Sequence, residues 1–221
     1  SSAASDVYKR QVHDLIKEYA TQHQRIVFNG NGYAPEWEKE ARRRGLPVLT
    51  SMVDAIPALT TDKAVELFGE FGVFTKTELE SRAEIQYEIY AKAINIEAKT
   101  MVDMATKQII PAVIKYTTVL AESINQVKAV GPIDVSVQMD LLKKASKLLK
   151  EVNSTMNKLS KLIDQIETHP EGRDRAVFCR EKLVPAMEKL REPVDELEML
   201  VDKDMWPVSY THLRAHETEA D

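Results

Sequence analysis

The fold is decided at residues 74–79, where the chain reads Phe-Thr-Lys-Thr-Glu-Leu. Thr75 belongs to the residue types that cap helix N-termini, and Glu78 stands three positions later, so their side chains can form a reciprocal capping box. Phe74, just before the cap, can pack onto Leu79 in the first turn as a hydrophobic staple. A helix is therefore predicted to begin at this point.

The first helix should be long, because helical spacing of apolar residues continues to about Ala129. Gly131 and Pro132 follow, and they predict a left-handed cap and a residue that cannot extend the helix. A helix of roughly 50 residues is therefore expected.

Two further segments, near residues 134–167 and 174–205, have apolar residues at alternating steps of three and four, if Thr155 fills one gap in the first of them. Their main columns are Leu141, Ala145, Leu148, Val152, Leu159, Leu162 and Ile166 in the second segment, and Leu183, Met187, Leu190, Val194, Leu197 and Val201 in the third. Apolar faces of this width are typical of helices that pack against neighbouring helices.

The links at residues 130–133 and 168–173 are too short to return the chain along a helix. Consecutive helices are therefore expected to be antiparallel. The sequence predicts a mainly α protein in which residues 74–207 form a long antiparallel three-helix bundle.

Three prolines fall inside the predicted helices: Pro111 in the first, and Pro185 and Pro193 in the third. Each removes a backbone hydrogen bond and favours a kink. Because the apolar period carries through each proline, we expect kinked but continuous helices, with a break into two helices as the alternative.

The first half of the first helix is apolar on two sides. At 100° per residue one side carries Tyr87, Tyr90, Ile94, Ala98, Met101 and Ala105, and the opposite side carries Ile85, Ile89 and Ile96. A three-helix bundle can cover only one of these sides. The other side is predicted to be a docking face, for the N-terminal segment or for a surface outside this chain.

Residues 12–73 predict a small helical segment with one short strand and a turn. Residues 12–24 have modest helical spacing, and residues 25–28 (RIVF) are a short β-prone run. Apolar residues of the helical part are Val12, Leu15, Ile16 and Tyr19. Short helices are also predicted from Pro35 to Gly45, at 51–55, and at 60–71 before Gly72.

The tetrad Asn29-Gly30-Asn31-Gly32 is predicted to be a turn, because Asn and Gly tolerate positive φ. A phosphate cradle is the alternative, since a strand, a glycine turn and a helix start stand in the right order. The full dinucleotide or P-loop spacing is missing, and no lysine stands at the helix start. The plain turn is favoured.

The two ends, residues 1–11 and 208–221, abandon the periodicity beside them and resemble translated sequencing-adapter read-through. We expect both to be artefactual tails, with residues 12–207 as the natural segment. His212 and His216 have the four-residue spacing of a metal-binding pair, but they lie in the second tail and are given no role.

The composition limits the class of protein. The 221 residues include only seven glycines, with 43% hydrophobic and 29% charged residues, which favours a helix-rich globular protein. A net charge of −5 disfavours nucleic acid and anionic membranes as partners. Cys179 is the single cysteine, and no apolar run approaches the roughly 20 residues of a membrane span. A cytoplasmic location is expected.

No catalytic or metal-binding constellation is recognised in the sequence, so catalytic, cofactor-binding and metal residues are all predicted to be absent. His13 and His23 are ten residues apart and on different sides of a helix, and His169 precedes a proline. Cys179 has no identifiable partner histidine and is interpreted as a small core residue.

Two groups of charged residues are candidate sites. A carboxylate-bridged metal bundle also needs Glu-x-x-His pairs, which do not accompany the acidic residues of the first helix, Glu84, Glu88, Glu97 and Asp103. The basic run at residues 42–44, with Lys39, is interpreted as cations that offset a helix dipole, with an anion site as the alternative.

Several stretches together resemble the C-terminal region of type III glutamine synthetases. They are 25–33 (RIVFNGNGY), 35–37 (PEW), 66–68 (ELF), 72–74 (GVF), 81–82 (SR), 94–98 (INIEA), 111–113 (PAV), 185–191 (PAMEKLR) and 206–207 (WP). The resemblance covers almost all of residues 12–207, in order and at matching spacing.

The resemblance implies a parent enzyme that joins ammonia to the γ-carboxylate of glutamate, using ATP and Mg²⁺ or Mn²⁺. It places the ligands of metal, ATP and glutamate in an upstream catalytic domain, so this region would be an accessory domain that is inert alone. The implied partners are that catalytic domain and neighbouring identical subunits. An autonomous helical-bundle interaction module is the alternative.

Overall fold

The computed structural model of the protein describes residues 2–207, with side chains from residue 7 onward. This part of the chain is mainly helical, as the sequence predicts. None of its helices is long and apolar enough to cross a lipid bilayer. The chain divides into two units, residues 1–50 and 51–221, which are described separately.

The first unit contains two helices. Helix α1 spans Ser2–Gln22 and therefore runs without interruption across the boundary at residue 11 where the sequence pattern changes. Helix α2 spans Pro35–Arg43 and ends at Gly45, whose φ of 67° is the left-handed conformation that favours glycine. The predicted helix at this position is confirmed.

The short strand predicted at residues 25–28 is wrong. A 3₁₀ turn occupies Gln24–Ile26, and no strand occurs within residues 2–207. The guanidinium of Arg44 donates to the carbonyls of Gln24, Arg25 and Val27, at 3.1, 3.2 and 2.6 Å. These acceptors are thus satisfied by a side chain of α2, and the β-prone composition has no partner strand with which to form a ladder.

The second unit contains the remaining helices. They are α3 (Met52–Ala55), α4 (Asp62–Glu70), α5 (Lys76–Met104), α6 (Ile110–Val130), α7 (Ser136–Gln165), α8 (Arg173–Phe178) and α9 (Val184–Glu198). Short 3₁₀ turns at Ile56–Thr60 and Ile166–Thr168 continue α3 and α7. Three long helical stretches result: α5 with α6, α7, and α8 with α9.

The start of α5 confirms the predicted capping box. The Thr75 amide donates to Oε2 of Glu78 at 2.7 Å, and the Glu78 amide donates to Oγ1 of Thr75 at 3.3 Å. At the far end the predicted left-handed cap is wrong, because Gly131 is extended, with φ 161° and ψ −171°. A residue before proline is held in the extended region, and Pro132 imposes this on Gly131.

Pro111 and Pro185 are accommodated without a break in either helical stretch, so the prediction of continuity is confirmed. One π-helical turn, Ala105–Ile109, joins α5 to α6, and another, Cys179–Leu183, joins α8 to α9. Each proline then stands in the first turn of the following α-helix. A wider π turn lets the chain absorb the missing N–H and the ring without ending the helix.

One hydrophobic core joins the three stretches, and α7 packs against both α6 and α9. Its largest fully buried side chains are Val113, Val152, Leu159, Ile166, Cys179, Leu183, Leu190 and Leu197. All thirteen members of the two predicted main columns, in the second and third segments, are buried or packed against this core. Asp54 of α3 accepts from Arg180 at 2.7 Å, which ties α3 to the third stretch.

Replacing the cap should weaken α5 at its first turn. Thr75→Ala removes the acceptor for the Glu78 amide, and we expect it to lower the free energy of unfolding by about 1 kcal/mol. Thr77→Ala is the matched control, since Thr77 is also exposed but lies inside the helix. Urea unfolding followed by circular dichroism measures both. Equal midpoints for the two variants would contradict a stabilising cap.

The difference in unfolding free energy between Thr75→Ala and the parent chain should shrink in acid. Hydrogen bonds from the Thr75 amide and hydroxyl lower the pKa of Glu78. The stabilisation is therefore complete above the ordinary pKa of a glutamate and is lost as the pH falls through the lowered folded value. Repeating the unfolding of Thr75→Ala and the parent chain from neutral pH into that acid range tests this.

Candidate docking surface

Helix α5 exposes the apolar side that the sequence assigned to docking. Ile85, Ile89 and Ile96 are 50%, 53% and 65% exposed. The helical spacing places all three along one line, and the Lys92 ammonium stands between them, paired with Glu88 at 3.0 Å. Apolar side chains aligned in this way on a charged helix form a surface suited to an apolar partner. We call these three isoleucines the isoleucine face.

The opposite side of α5 is buried, which confirms the two-sided pattern. Tyr87 is 5% exposed, and Ala98 and Ala105 are 0% and 1% exposed. The remaining predicted members, Tyr90, Ile94 and Met101, are partly buried against the same core. The small alanines let the neighbouring helices approach closely, so this side of α5 is already covered by the core of its own unit.

The acidic residues of α5 do not converge on a metal. Glu88 pairs with Lys92, and Asp103 pairs with Lys107 one turn later. Across residues 2–207, no group of three or more His, Cys, Asp or Glu side chains is arranged to hold a metal ion. These carboxylates therefore act as partners of surface lysines.

The histidines occupy local structural positions. The His169 ring stacks on Phe178 with centroids 3.9 Å apart, and its Nδ1 lies 3.1 Å from the Gln165 carbonyl oxygen. His13 lies beside Asp14, and the His23 ring contacts Tyr19 edge-on. His212 and His216 lie outside the described residues.

Cys179 is a core residue. It is 0% exposed, and its Sγ contacts the Ala91 carbonyl oxygen at 4.0 Å. Burial raises the pKa of its thiol, which disfavours the reactive thiolate at neutral pH. The interpretation of Cys179 as a small apolar filler at the start of the second π turn is confirmed.

The basic run at the end of α2 is neutralised locally. Arg43 and Arg44 both donate to Glu40, at 2.6 and 2.7 Å, and these bonds lower the pKa of that carboxyl to about 2. Arg42 approaches Glu38 at 3.5 Å. The three arginines therefore already have acceptors within their own unit.

The Asn29–Gly32 tetrad forms a turn that the side chain of Asn31 stabilises. The Tyr33 amide donates to Oδ1 of Asn31 at 3.0 Å, and the Ala34 amide donates to the Asn31 carbonyl at 3.1 Å. Positive φ is not the reason for Gly30. A Cβ there would lie 2.6 Å from the Phe28 ring, which itself packs at a tilt against the Trp37 ring with centroids 4.6 Å apart. Gly30 thus allows that aromatic pair to form.

Comparison with known proteins decides the family. A family model described as the glutamine synthetase C-terminal domain matches residues 11–128, which is more than half of the chain. The chain belongs to the glutamine synthetase C-terminal domain family.

Curated relatives of this glutamine synthetase domain are much longer than the chain. Glutamine synthetase from Butyrivibrio fibrisolvens is 34% identical over 202 residues, which are 91% of this chain and 29% of that protein. Type-3 glutamine synthetase from Dictyostelium discoideum is 33% identical over 199 residues, 88% of this chain and 27% of that protein. The chain thus spans less than a third of the length of these relatives.

One feature of the domain was missed by sequence reasoning. Gly172 precedes α8 with φ 81°, and a Cβ at this position would collide with the carboxylate of Glu84. Glu84 and Arg173 also line a cleft of about 950 Å³ between α4 and α5. A glycine just before a predicted helix was the available signal, but its close approach to α5 is a tertiary contact that spacing does not show.

Gly172→Ala should destabilise the domain for two separable reasons. The left-handed backbone costs an alanine about 1–2 kcal/mol, and the added methyl must displace Glu84. Gly69→Ala is the matched control, because Gly69 lies inside α4 with nothing near its Cβ position, and it should be neutral or stabilising by up to about 1 kcal/mol.

Denaturant midpoints of these variants test this account. Adding Glu84→Ala to Gly172→Ala should recover the stability that is lost through the collision with Glu84. The stability that is lost through the backbone conformation of residue 172 should not be recovered. An unchanged midpoint for Gly172→Ala would contradict the close approach of Gly172 to α5.

Proposed function

We propose that this chain is the C-terminal accessory region of a type III glutamine synthetase, folded as an antiparallel three-helix bundle and catalytically inert by itself. The observation that carries the proposal is the extent of similarity: about nine-tenths of this chain aligns with less than a third of each of two glutamine synthetases. The rest of such an enzyme must supply what this region lacks.

In the intact enzyme the reaction would be ATP-dependent ligation of ammonia to glutamate, with ATP and Mg²⁺ or Mn²⁺ bound in an upstream catalytic domain. The paired carboxylates of α2 and α5 do not fit a divalent metal in a phosphate-clamping site, which needs free carboxylates beside a phosphate pocket. Glu88 and Asp103 are paired with lysines, and Glu40 is held by two arginines. We therefore assign no step of the reaction to these residues.

The partners we propose are the upstream catalytic domain of the same chain and neighbouring identical subunits, and the isoleucine face is the surface that supports them. Its three side chains are at least half exposed and lie on a helix whose other side is buried. Covering them stabilises an interface by removing apolar area from water.

The net charge of −5 disfavours nucleic acid or an anionic membrane as the partner of this surface. The lone buried thiol of Cys179 fits a reducing cytoplasm.

A stand-alone helical interaction module is the second candidate, because the same isoleucine face would serve a separate partner helix. Genomic context separates the two functions. An open reading frame that continues upstream with glutamine synthetase motifs supports the accessory region, whereas a start codon near Val12 supports the module.

The docking role is tested by adding charge to the isoleucine face in a complete homologue. Ile89→Asp with Ile96→Asp, made at the aligned positions, should reduce the oligomer size or lower the melting temperature by several degrees, because buried unpaired carboxylates are costly at an interface. Ile133→Asp is the control, since Ile133 is 52% exposed but lies outside α5. Light scattering and thermal unfolding measure the two quantities. If neither quantity differs from that of the unmodified homologue, the docking role fails.

A further inference from the structure

Helix α1 carries a second exposed apolar surface. Val12, Leu15, Ile16 and Tyr19 are 37%, 48%, 62% and 54% exposed. Their spacing of three, four and seven residues aligns them in one stripe along the helix. We call these four residues the α1 stripe. All four lie inside residues 11–128, which match the family model.

The other residues of α1 between positions 9 and 19 are polar. Seen down the helix axis, most of them fall on the side away from the α1 stripe. They are Arg10, His13, Asp14, Lys17 and Glu18. A helix with this division is built to lie with one side against an apolar surface and the other in water.

The first unit does not supply enough core to hold α1 in place. Among its described side chains, residues 7–50, only Ala41 is buried. Ordering about 50 residues costs far more conformational free energy than the burial of one alanine returns. Most helical stability in proteins comes from packing of the apolar side, and the α1 stripe has little such packing within the first unit.

We propose that the α1 stripe is the surface on which the upstream catalytic segment of the same polypeptide docks. This inference rests on the proposed function. The matched relatives have more than two thirds of their length outside the aligned region, and the family is by its description a C-terminal domain. Most of that length therefore precedes α1. A segment joined directly to α1 meets the stripe at a high effective concentration, which a separate partner lacks.

Hydrogen exchange of the α1 amides measures whether the stripe is covered. In the 221-residue chain we expect these amides to exchange almost as fast as in an unstructured peptide. In a complete homologue the aligned helix should exchange at least about a hundredfold more slowly, because opening it would expose the α1 stripe to water. Leu15→Asp with Ile16→Asp, placed at the aligned positions, should abolish this protection.

The matched control changes two neutral side chains on the polar side of the same helix. His13→Asp with Thr21→Asp adds the same charge, and both positions are exposed in the structure. The protection of α1 in the complete homologue should survive this change. A loss equal to that of the stripe variant would overturn the proposal, because it would mean that charge rather than the α1 stripe decides the result.

Two further outcomes bear on the proposal. Equal protection of α1 in the 221-residue chain and in the complete homologue would overturn it, since the cover would then lie within this chain or in a second copy. If the stripe variant leaves α1 protected while Ile89→Asp with Ile96→Asp still alters the oligomer, this inference fails and the proposed function stands. If neither pair of substitutions has an effect, this inference and the docking role of the isoleucine face both fail.

Discussion

The second unit depends on keeping an apolar column continuous through helices that contain proline. The chain meets this constraint twice with the same local sequence pattern: two aliphatic residues, proline, alanine and a further apolar residue, at 109–113 and at 183–187. In both places a π turn ends at the first residue of the pattern, and the proline enters the first turn of the next helix. Ala105 and Cys179, which open the two π turns, are almost completely buried. The extra residue of each turn thus re-aligns the apolar column so that the core continues across the proline.

This core explains why α5 has a surplus apolar side. Its buried side is already filled by contacts with the other long stretches through Tyr87, Ala98 and Ala105. The isoleucine face therefore has no role in the core of its own unit. The α1 stripe likewise has no role in a core, because Ala41 is the only buried side chain described in the first unit. Two aligned apolar surfaces in water, on a chain that spans less than a third of its relatives' length, support the proposed role as an accessory region.

Local structure was predictable wherever a short motif determines it. The Thr75 and Glu78 box, the ends at Gly45 and Gly72, and the two sides of α5 follow from residue type and spacing. The predictions failed where a neighbour decides the conformation. Pro132 holds Gly131 extended, and the Arg44 side chain donates to the carbonyls of Gln24, Arg25 and Val27 that a strand would need. The π turns and the contact of Gly172 with Glu84 depend on core alignment and helix approach, which a single sequence does not display.

The most direct test is the solvent access of the isoleucine face in the whole enzyme. Ile89→Cys can be labelled with a thiol reagent in the 221-residue chain, where the native Cys179 is fully buried and should react slowly. The same substitution is then labelled in a complete homologue from which other reactive cysteines have been removed. If this region is an accessory domain docked on the rest of glutamine synthetase, the new thiol reacts rapidly in the isolated chain and much more slowly in the complete protein. Equal labelling rates in the two proteins would contradict the account.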